Sequence, residues 1–186
     1  MRWDALFDDL ESQLHSAASA RQETEIRERT RTEQARMTLA QRLGGQLGKP
    51  IRVTTGAGRS VHGVLSNVGA QWIAITVEGG TTVVPFASLQ GIRGLGRAVG
   101  EPLGVVEARL GLGSVLRVLS RDRMPVAVWL TLSRTRLTGV IDRVGADFVD
   151  VGSGYGDEAG RQGAAREVLT LPLAAIDSLD SAVSAE

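Results

Sequence analysis

An internal repeat constrains the fold of this chain more than any other feature. Residues 61–75 read VHGVLSNVGAQWIAI, and residues 137–151, 76 positions later, read LTGVIDRVGADFVDV. Both copies place a glycine third, a Val-Gly-Ala triplet at the eighth to tenth positions and an aromatic residue twelfth. Because each unit of such a repeat is normally one unit of supersecondary structure, we expect the chain to build the same structure twice.

Alternating apolar residues separated by glycine-containing turns predict short strands around both copies. In the first copy the predicted strands are 51–53, 61–66, 72–77, 82–84 and 91–92. In the second copy they are 126–132, 137–142, 148–151 and 168–171. A one-turn helix is predicted over residues 85–89, and residues 172–176 match it at an offset of 87 rather than 76. The extra residues fall in the glycine-rich segment 152–163.

Helical patterns precede the strands. Residues 2–18 carry apolar side chains at the i, i+3, i+4, i+7 spacing of one helix face: Trp3, Leu6, Phe7, Leu10 and Leu14. This face should dock on the protein's own body or on a partner. Residues 20–38 alternate arginine and glutamate and predict a solvated helix with i, i+4 ion pairs. The predicted organisation is a helical arm over 1–37, a β unit with a leading helix over 38–95, a linker over 96–111, a second such unit over 112–180 and a frayed tail over 181–186.

A leading helix, five short strands and a glycine in the second strand resemble the Sm-like and SH3-like small β-barrels. In the Sm-like family that glycine allows the second strand to bend, and Gly63 and Gly139 stand at this position. The resemblance implies a mainly β fold with N-terminal helices (α+β), built from two tandem five-stranded Sm/SH3-like barrels. A closed barrel also leaves no exposed strand edge. The first residues, MRWDALF, are similar to those of an actinobacterial protein family, and that resemblance implies no activity.

The RNA site of the Sm-like family is expected to be absent. That family uses an Asp and an Asn around the loop between strands two and three, and a basic-Gly pair after strand four. The Asp and Asn positions are occupied here by Gly69, Gly145, Ile73 and Val149. The Pro-x-x-x-Leu/Ile turn after strand four is more similar to PRC-barrel and other SH3-like adaptors, which implies protein or RNA binding.

Charge is balanced overall but not locally. The chain has 21 basic and 21 acidic side chains, which removes the simplest electrostatic reason to expect a nucleic-acid partner. Residues 51–100 nevertheless carry a net charge of +3, and residues 127–186 carry −4. This split in charge has two possible interpretations. It is either random variation on solvated surfaces, or the sign of a contact between surfaces of opposite charge, formed by the two repeats or by two protomers.

The sequence does not predict an enzyme. It has no cysteine and two histidines. His15 falls at the rim of the apolar face of the first helix, and His62 alternates out of phase with its buried neighbours. No catalytic residue, metal ligand set, cofactor site or small-molecule substrate is predicted. The lack of cysteine and of an export signal favours a cytoplasmic protein, and no apolar run approaches the roughly 20 residues of a membrane span.

Two functions remain open. The first is a non-catalytic interaction or adaptor protein that binds a protein partner or itself, with Trp3, Leu6, Phe7, Leu10 and Leu14 as the docking residues. The second is an RNA- or DNA-binding regulator that uses the following arginines: Arg27, Arg29, Arg31, Arg36, Arg52, Arg59, Arg93 and Arg97. Trp72, Phe148 and Trp129 belong either to the core or to an exposed platform for a base or a partner's anchor. For Trp72 and Phe148 we favour packing against the N-terminal helices, and for Trp129 burial between the two barrels.

Overall fold

The computed structural model describes residues 22, 24, 25, 27–29, 31, 32, 34–105, 107–152 and 167–181. The chain divides into two compact units, Met1–Thr38 and Leu39–Glu186. In the first unit the described residues between 22 and 36 are helical, and Arg29 lies 3.7 Å from Glu25, which confirms one predicted i, i+4 ion pair. The predicted docking residues Trp3, Leu6, Phe7, Leu10 and Leu14, like His15, lie outside the described residues.

The second unit contains the predicted strands in the predicted order. Two α-helices each lead a set of strands: α1 (Leu39–Gly44) and α2 (Leu112–Arg121). In the first half the strands are β1 (Pro50–Thr55), β2 (Ser60–Val68), β3 (Trp72–Val77), β4 (Gly80–Pro85) and β5 (Leu89–Arg93). In the second half they are β6 (Pro125–Leu130), β7 (Arg136–Val144), β8 (Phe148–Gly152), β9 (Val168–Pro172) and β10 (Ile176–Ser181). Short 3-10 helices are η1 (Phe86–Ser88), η2 (Glu107–Arg109) and η3 (Leu173–Ala175).

All the strands of the described residues belong to one antiparallel sheet. Its order is β5-β1-β2-β3-β4-β10-β6-β7-β8-β9, so each half contributes its strands in the order fifth, first, second, third, fourth. The halves meet where β4 pairs with β10, with Val83 opposite Leu179 and Thr82 opposite Asp180. The mainly β fold with few helices is confirmed. The sheet is not closed on itself, and the description as two tandem barrels stays a prediction.

The two halves repeat their backbone geometry as well as their sequence. The β2–β3 register shifts between Leu65 and Asn67, and the β7–β8 register shifts between Ile141 and Arg143, which stand 76 residues later. Gly63 and Gly139 lie beside the neighbouring strand: a Cβ would stand 2.2 Å from the Thr76 carbonyl oxygen at Gly63, and 2.4 Å from the Gly152 oxygen at Gly139. Only glycine fits such an approach, and the predicted bend of the second strand stays a prediction.

The halves also share a core. In the first half, β1, β2 and β3 turn Ile51, Leu65 and Ile73 towards α1 and form one apolar cluster. A second cluster surrounds Leu116 of α2, and it also includes Trp72, Ala74 and Val83 of the first half. The period-two alternation of β3 therefore sends Ile73 and Ile75 into one core, and Trp72 and Ala74 into the other. Each half is covered partly by the other.

Trp72 is therefore a core residue rather than an exposed platform. Its side chain is 8% exposed, and its Nε1–H donates a hydrogen bond of 2.9 Å to the Leu110 carbonyl oxygen. Trp72 belongs to the cluster around Leu116 of the second half, and packing of Trp72 against the N-terminal helices stays a prediction. The counterpart Phe148 is half-buried. Within the described part of the chain, no helix is both long and apolar enough to cross a membrane.

Candidate functional site

A buried carboxylate fastens the two halves together. Asp177 lies on β10 and is fully buried. Its Oδ1 accepts hydrogen bonds from the Ala57 N–H at 2.8 Å and from the Ser88 hydroxyl at 2.5 Å, and its Oδ2 accepts one from the Ser178 hydroxyl at 3.2 Å. Ala57 stands in the β1–β2 turn and Ser88 in η1. The carboxylate therefore ties two loops of the first half to the last strand of the second.

Hydrogen bonding keeps Asp177 charged. Burial alone would raise the pKa of Asp177, because a low-dielectric environment disfavours the charged form. The hydrogen bonds from Ser88, Ala57 and Ser178 favour the carboxylate and prevail, so the pKa of Asp177 lies below its ordinary value of 3.8. The Thr55 hydroxyl also favours the charged form, although it makes no hydrogen bond of normal geometry. We call the contact between the two halves around Asp177 the junction. At neutral pH the junction thus contains a buried anion.

Arg59 completes the junction. Its guanidinium donates to both carboxylate oxygens of Asp180, at 3.0 and 3.2 Å, and to the Ser178 hydroxyl at 2.5 Å. The Cζ atom of Arg59 lies 4.3 Å from the ring centroid of Trp129, and Trp129 Nε1–H donates to Asp180 at 2.9 Å. The Thr82 hydroxyl donates to the same carboxylate at 2.8 Å. Trp129 is half-buried and contacts residues of both halves, and its burial between two barrels stays a prediction.

The repeat identifies the counterparts of these junction residues. An offset of 87 relates β4 to β9 and β5 to β10, so Gln90 corresponds to Asp177 and Arg93 to Asp180. The turns also correspond. In the first half the Gly56 N–H donates to the Ser88 carbonyl at 2.8 Å, and in the second half the Thr131 N–H donates to the Ala175 carbonyl at 3.0 Å. The β6–β7 turn of the second half therefore contacts η3 in the way that the β1–β2 turn of the first half contacts η1.

The second half leaves this surface uncovered among the described residues. In the first half, β4 and the β1–β2 turn hold β10. In the second half, the equivalent β9 pairs with β8 alone. Leu132 in the β6–β7 turn is 97% exposed, whereas Ala57 in the β1–β2 turn is 8% exposed. Val168 and Leu169 on β9 are 50% and 43% exposed. We call Leu132, Val168, Leu169 and Thr170 the acceptor surface.

The opposite edge of the sheet is β5. It pairs with β1, whereas its counterpart β10 pairs with two strands. Arg93 on β5 stands directly opposite Arg52 on β1, and Arg52 stands opposite His62 on β2. All three residues are exposed, as predicted for His62. Like charges directly opposite each other are unfavourable, so this edge of the described sheet is suited to an acidic neighbour.

The arginines of the nucleic-acid hypothesis differ in the unit to which they belong and in their contacts. Arg27, Arg29, Arg31 and Arg36 are exposed and belong to the first unit. In the second unit Arg52, Arg93 and Arg97 are exposed, and Arg59 is engaged in the junction. The four helical arginines and the four sheet and linker arginines therefore lie in separate units.

A cleft of about 580 Å³ lies between equivalent loops of the two halves. It is lined by Gln71 and Phe86 of the first half, by Ala146 and Leu173 of the second, and by Arg109 and Arg117 beside the start of α2. Sequence reasoning did not single out Arg109 and Arg117, which fall in the linker and the second leading helix. In the described part of the chain, no three His, Asp or Glu side chains are grouped to hold a metal ion.

Sequence reasoning also missed the acceptor surface and Asp177. A signal existed for Asp177, because aligning the repeats at an offset of 87 places acidic residues on β10 where β5 has Gln90 and Arg93. Comparison with protein-family models, curated proteins and solved structures finds no match for this chain. Its function must therefore be inferred from the surfaces described above.

Proposed function

We propose that this chain is a non-catalytic interaction module that holds an extended segment of a partner protein along β9. Strand addition of this kind takes its affinity from main-chain hydrogen bonds at an open sheet edge, and its specificity from side-chain contacts next to that edge. We further propose that each half is a small barrel of the Sm-like or SH3-like type. The repeated strand order, and the close approach of Gly63 and Gly139 to the neighbouring strand, support this assignment.

The observation that carries the proposal is the contrast between equivalent residues in the two halves. The first half uses β4 and its β1–β2 turn to hold a strand, and this contact buries Ala57. The second half has the same scaffold, but it exposes Leu132, Val168 and Leu169. Exposed leucine and valine beside an open edge are unfavourable in water and are typical of a contact surface.

Site-specific photocrosslinking tests the proposal. A photoreactive phenylalanine analogue replaces Leu132 in the full chain, and a control replaces Val64, which is 41% exposed on β2. Irradiation in cells, followed by mass spectrometry, should give adducts to a polypeptide from position 132 and few or none from position 64. Equal yields at both positions, or no polypeptide adduct at position 132, would refute the proposal.

Nucleic-acid binding is the second candidate, and the cleft is the observation that favours it. Arg109 and Arg117 line the cleft together with the half-buried ring of Phe86, and cations beside an aromatic ring suit a single-stranded nucleic acid. The affinity for labelled single-stranded RNA should then fall steeply with salt concentration. In an Arg109→Ala, Arg117→Ala double variant, the slope of log affinity against log salt concentration should become shallower by about 1 for each lost phosphate contact. The absence of binding at low salt would remove this candidate.

A further inference from the structure

Two copies of one structural unit line the cleft between the halves. In the first half, the Phe86 N–H of η1 donates a 2.8 Å hydrogen bond to the Gln71 carbonyl oxygen in the β2–β3 loop. In the second half, the Leu173 N–H of η3 donates a 2.8 Å hydrogen bond to the Asp147 carbonyl oxygen in the β7–β8 loop. Backbone contacts therefore fix each loop against its 3-10 helix, and the two units present the side chains of Phe86 and Leu173 to the cleft.

Two arginines give the cleft its charge. Arg117 of α2 donates a 3.3 Å hydrogen bond to the Gly145 carbonyl oxygen in the β7–β8 loop. Arg109 ends η2, and the residue after it, Leu110, accepts the hydrogen bond of buried Trp72 on its carbonyl oxygen. No Asp or Glu is among the described residues that line the cleft. The cleft therefore carries two positive charges that no lining carboxylate balances.

We propose that this cleft binds a small organic phosphate, with the phosphate group on Arg109 and Arg117. The cleft volume of about 580 Å³ lies within the range of about 300–1,000 Å³ that is typical of small-molecule sites. Arginine binds both phosphate and carboxylate through paired N–H donors. A phosphate monoester carries about −1.5 to −2 charges at neutral pH, so it balances both arginines, whereas a carboxylate balances one.

The ligand should also carry an apolar group, because the two repeated units offer apolar surface. Phe86 and Leu173 line the cleft and are both half-buried, so part of each side chain stays exposed. An aromatic or aliphatic group between them would remove this surface from water. The ligand class is therefore a phosphate monoester of an apolar alcohol rather than phosphate alone.

This site goes beyond the proposed function. The cleft shares no lining residue with the acceptor surface, so a ligand in the cleft and a strand along β9 are separate binding events. It differs from the second candidate function in its ligand, because that candidate places a single-stranded nucleic acid in the same cleft. Experiments on the cleft must therefore compare a small phosphate with RNA.

Isothermal titration calorimetry of the full chain tests the proposal with phenyl phosphate, inorganic phosphate and benzoate. Phenyl phosphate should bind about tenfold more tightly than inorganic phosphate, because the ring adds buried apolar surface. It should bind about tenfold more tightly than benzoate, because it engages both arginines. Arg109→Ala and Arg117→Ala should each weaken its binding about tenfold. Arg121→Ala is the matched control, since Arg121 is exposed on the same helix and does not line the cleft.

Ala146→Glu tests the same site without removing an arginine. Ala146 is exposed in the β7–β8 loop and lines the cleft, so the added carboxylate should repel the phosphate and abolish binding while the core stays intact. Circular dichroism of each variant checks that it is folded.

Each of the following results would overturn the proposal. Phenyl phosphate gives no heat of binding at millimolar concentration, or it binds no more tightly than inorganic phosphate or benzoate. Its affinity is unchanged by Ala146→Glu or by both arginine substitutions. Labelled single-stranded RNA binds through Arg109 and Arg117, and phenyl phosphate does not displace it, which would leave the second candidate function standing. Crosslinking at position 132 reports on the proposed function alone, so the failure of either proposal can be recognised separately.

Discussion

The backbone N–H of Ala57 donates a 2.8 Å hydrogen bond to the carboxylate of Asp177, which stands 120 residues later in the chain. Ala57 belongs to a turn of the first half and Asp177 to the last strand of the second. Trp72, a residue of the first half, lies in the core around Leu116 of the second. Polar and apolar contacts therefore cross the same boundary, and the halves should unfold together.

Asp177→Asn should destabilise the protein at neutral pH. The substitution keeps the size of the side chain but removes a buried charge that accepts several hydrogen bonds, and the expected loss is about 1–3 kcal/mol. Urea unfolding at pH 7 measures it. Asp147→Asn is the control, because Asp147 is exposed in the loop between β7 and β8 and should change little. Equal effects of the two substitutions would show that Asp177 does not fasten the junction.

Acid should weaken the protein partly through Asp177. A carboxyl group whose folded pKa is depressed stabilises the fold above its unfolded pKa, and this contribution disappears as the pH falls through the folded pKa. The pKa of Asp177 lies below 3.8, so its contribution is lost in acid as the pH falls from the ordinary carboxyl range to below that lowered pKa. Unfolding free energies measured across this range should fall more steeply for the wild type than for Asp177→Asn. Parallel curves would contradict the assignment.

Gly63→Ala and Gly139→Ala should each destabilise the fold, because the added Cβ would collide with a backbone oxygen of the next strand. Overpacking of this kind costs about 1–3 kcal/mol. Gly113→Ala is the matched control: it lies in α2, and the nearest atom to its Cβ is 3.6 Å away on the flexible Arg117 side chain. Alanine should stabilise that helix, by less than the roughly 0.5–1 kcal/mol of a mid-helix position, because Gly113 lies in its first turn. Thermal denaturation should therefore give a lower melting temperature for Gly63→Ala and Gly139→Ala, and a higher one for Gly113→Ala.

Leu132→Ser should affect binding but not folding. Leu132 is 97% exposed in the single chain, and substitutions at such positions usually change stability by less than about 0.5 kcal/mol. The same substitution should weaken association or partner binding, since it removes an apolar contact from the acceptor surface. A large loss of stability, or unchanged association, would show that this residue has another role.

Much of the fold could be predicted because the repeat appears in local patterns. Alternation located the strands, and Gly63 and Gly139 marked equivalent positions in the second strand of each copy. The alternation of β3 also assigned Ile73 and Trp72 to opposite faces. The surface that covers Trp72 could not be predicted, since the pairing of β4 with β10 joins strands about 97 residues apart and leaves no local pattern.

The candidate site was harder to predict from the sequence. A buried acid such as Asp177 looks like an ordinary surface acid, because burial depends on Ala57 and Ser88, which are distant in sequence. Leu132 looked like the end of a predicted strand, and only the structure places it on an exposed turn. The amphipathic pattern of residues 2–18 stays a prediction, as does the nucleic-acid role of the arginines.

Hydrogen exchange of the β9 amides is the most direct test of the central claim, that β9 is a strand-accepting edge. The exchange of residues 168–172 should be measured in the full chain with and without the polypeptide that crosslinks at position 132, with residues 126–130 of β6, which has strands on both sides, as the internal reference. If a partner segment fills the acceptor surface, β9 should become more protected when that polypeptide is added, Leu169→Lys should abolish that gain, and β6 should not change. Exchange of β9 that is unchanged by that polypeptide, or the absence of any polypeptide adduct at position 132, would contradict the claim.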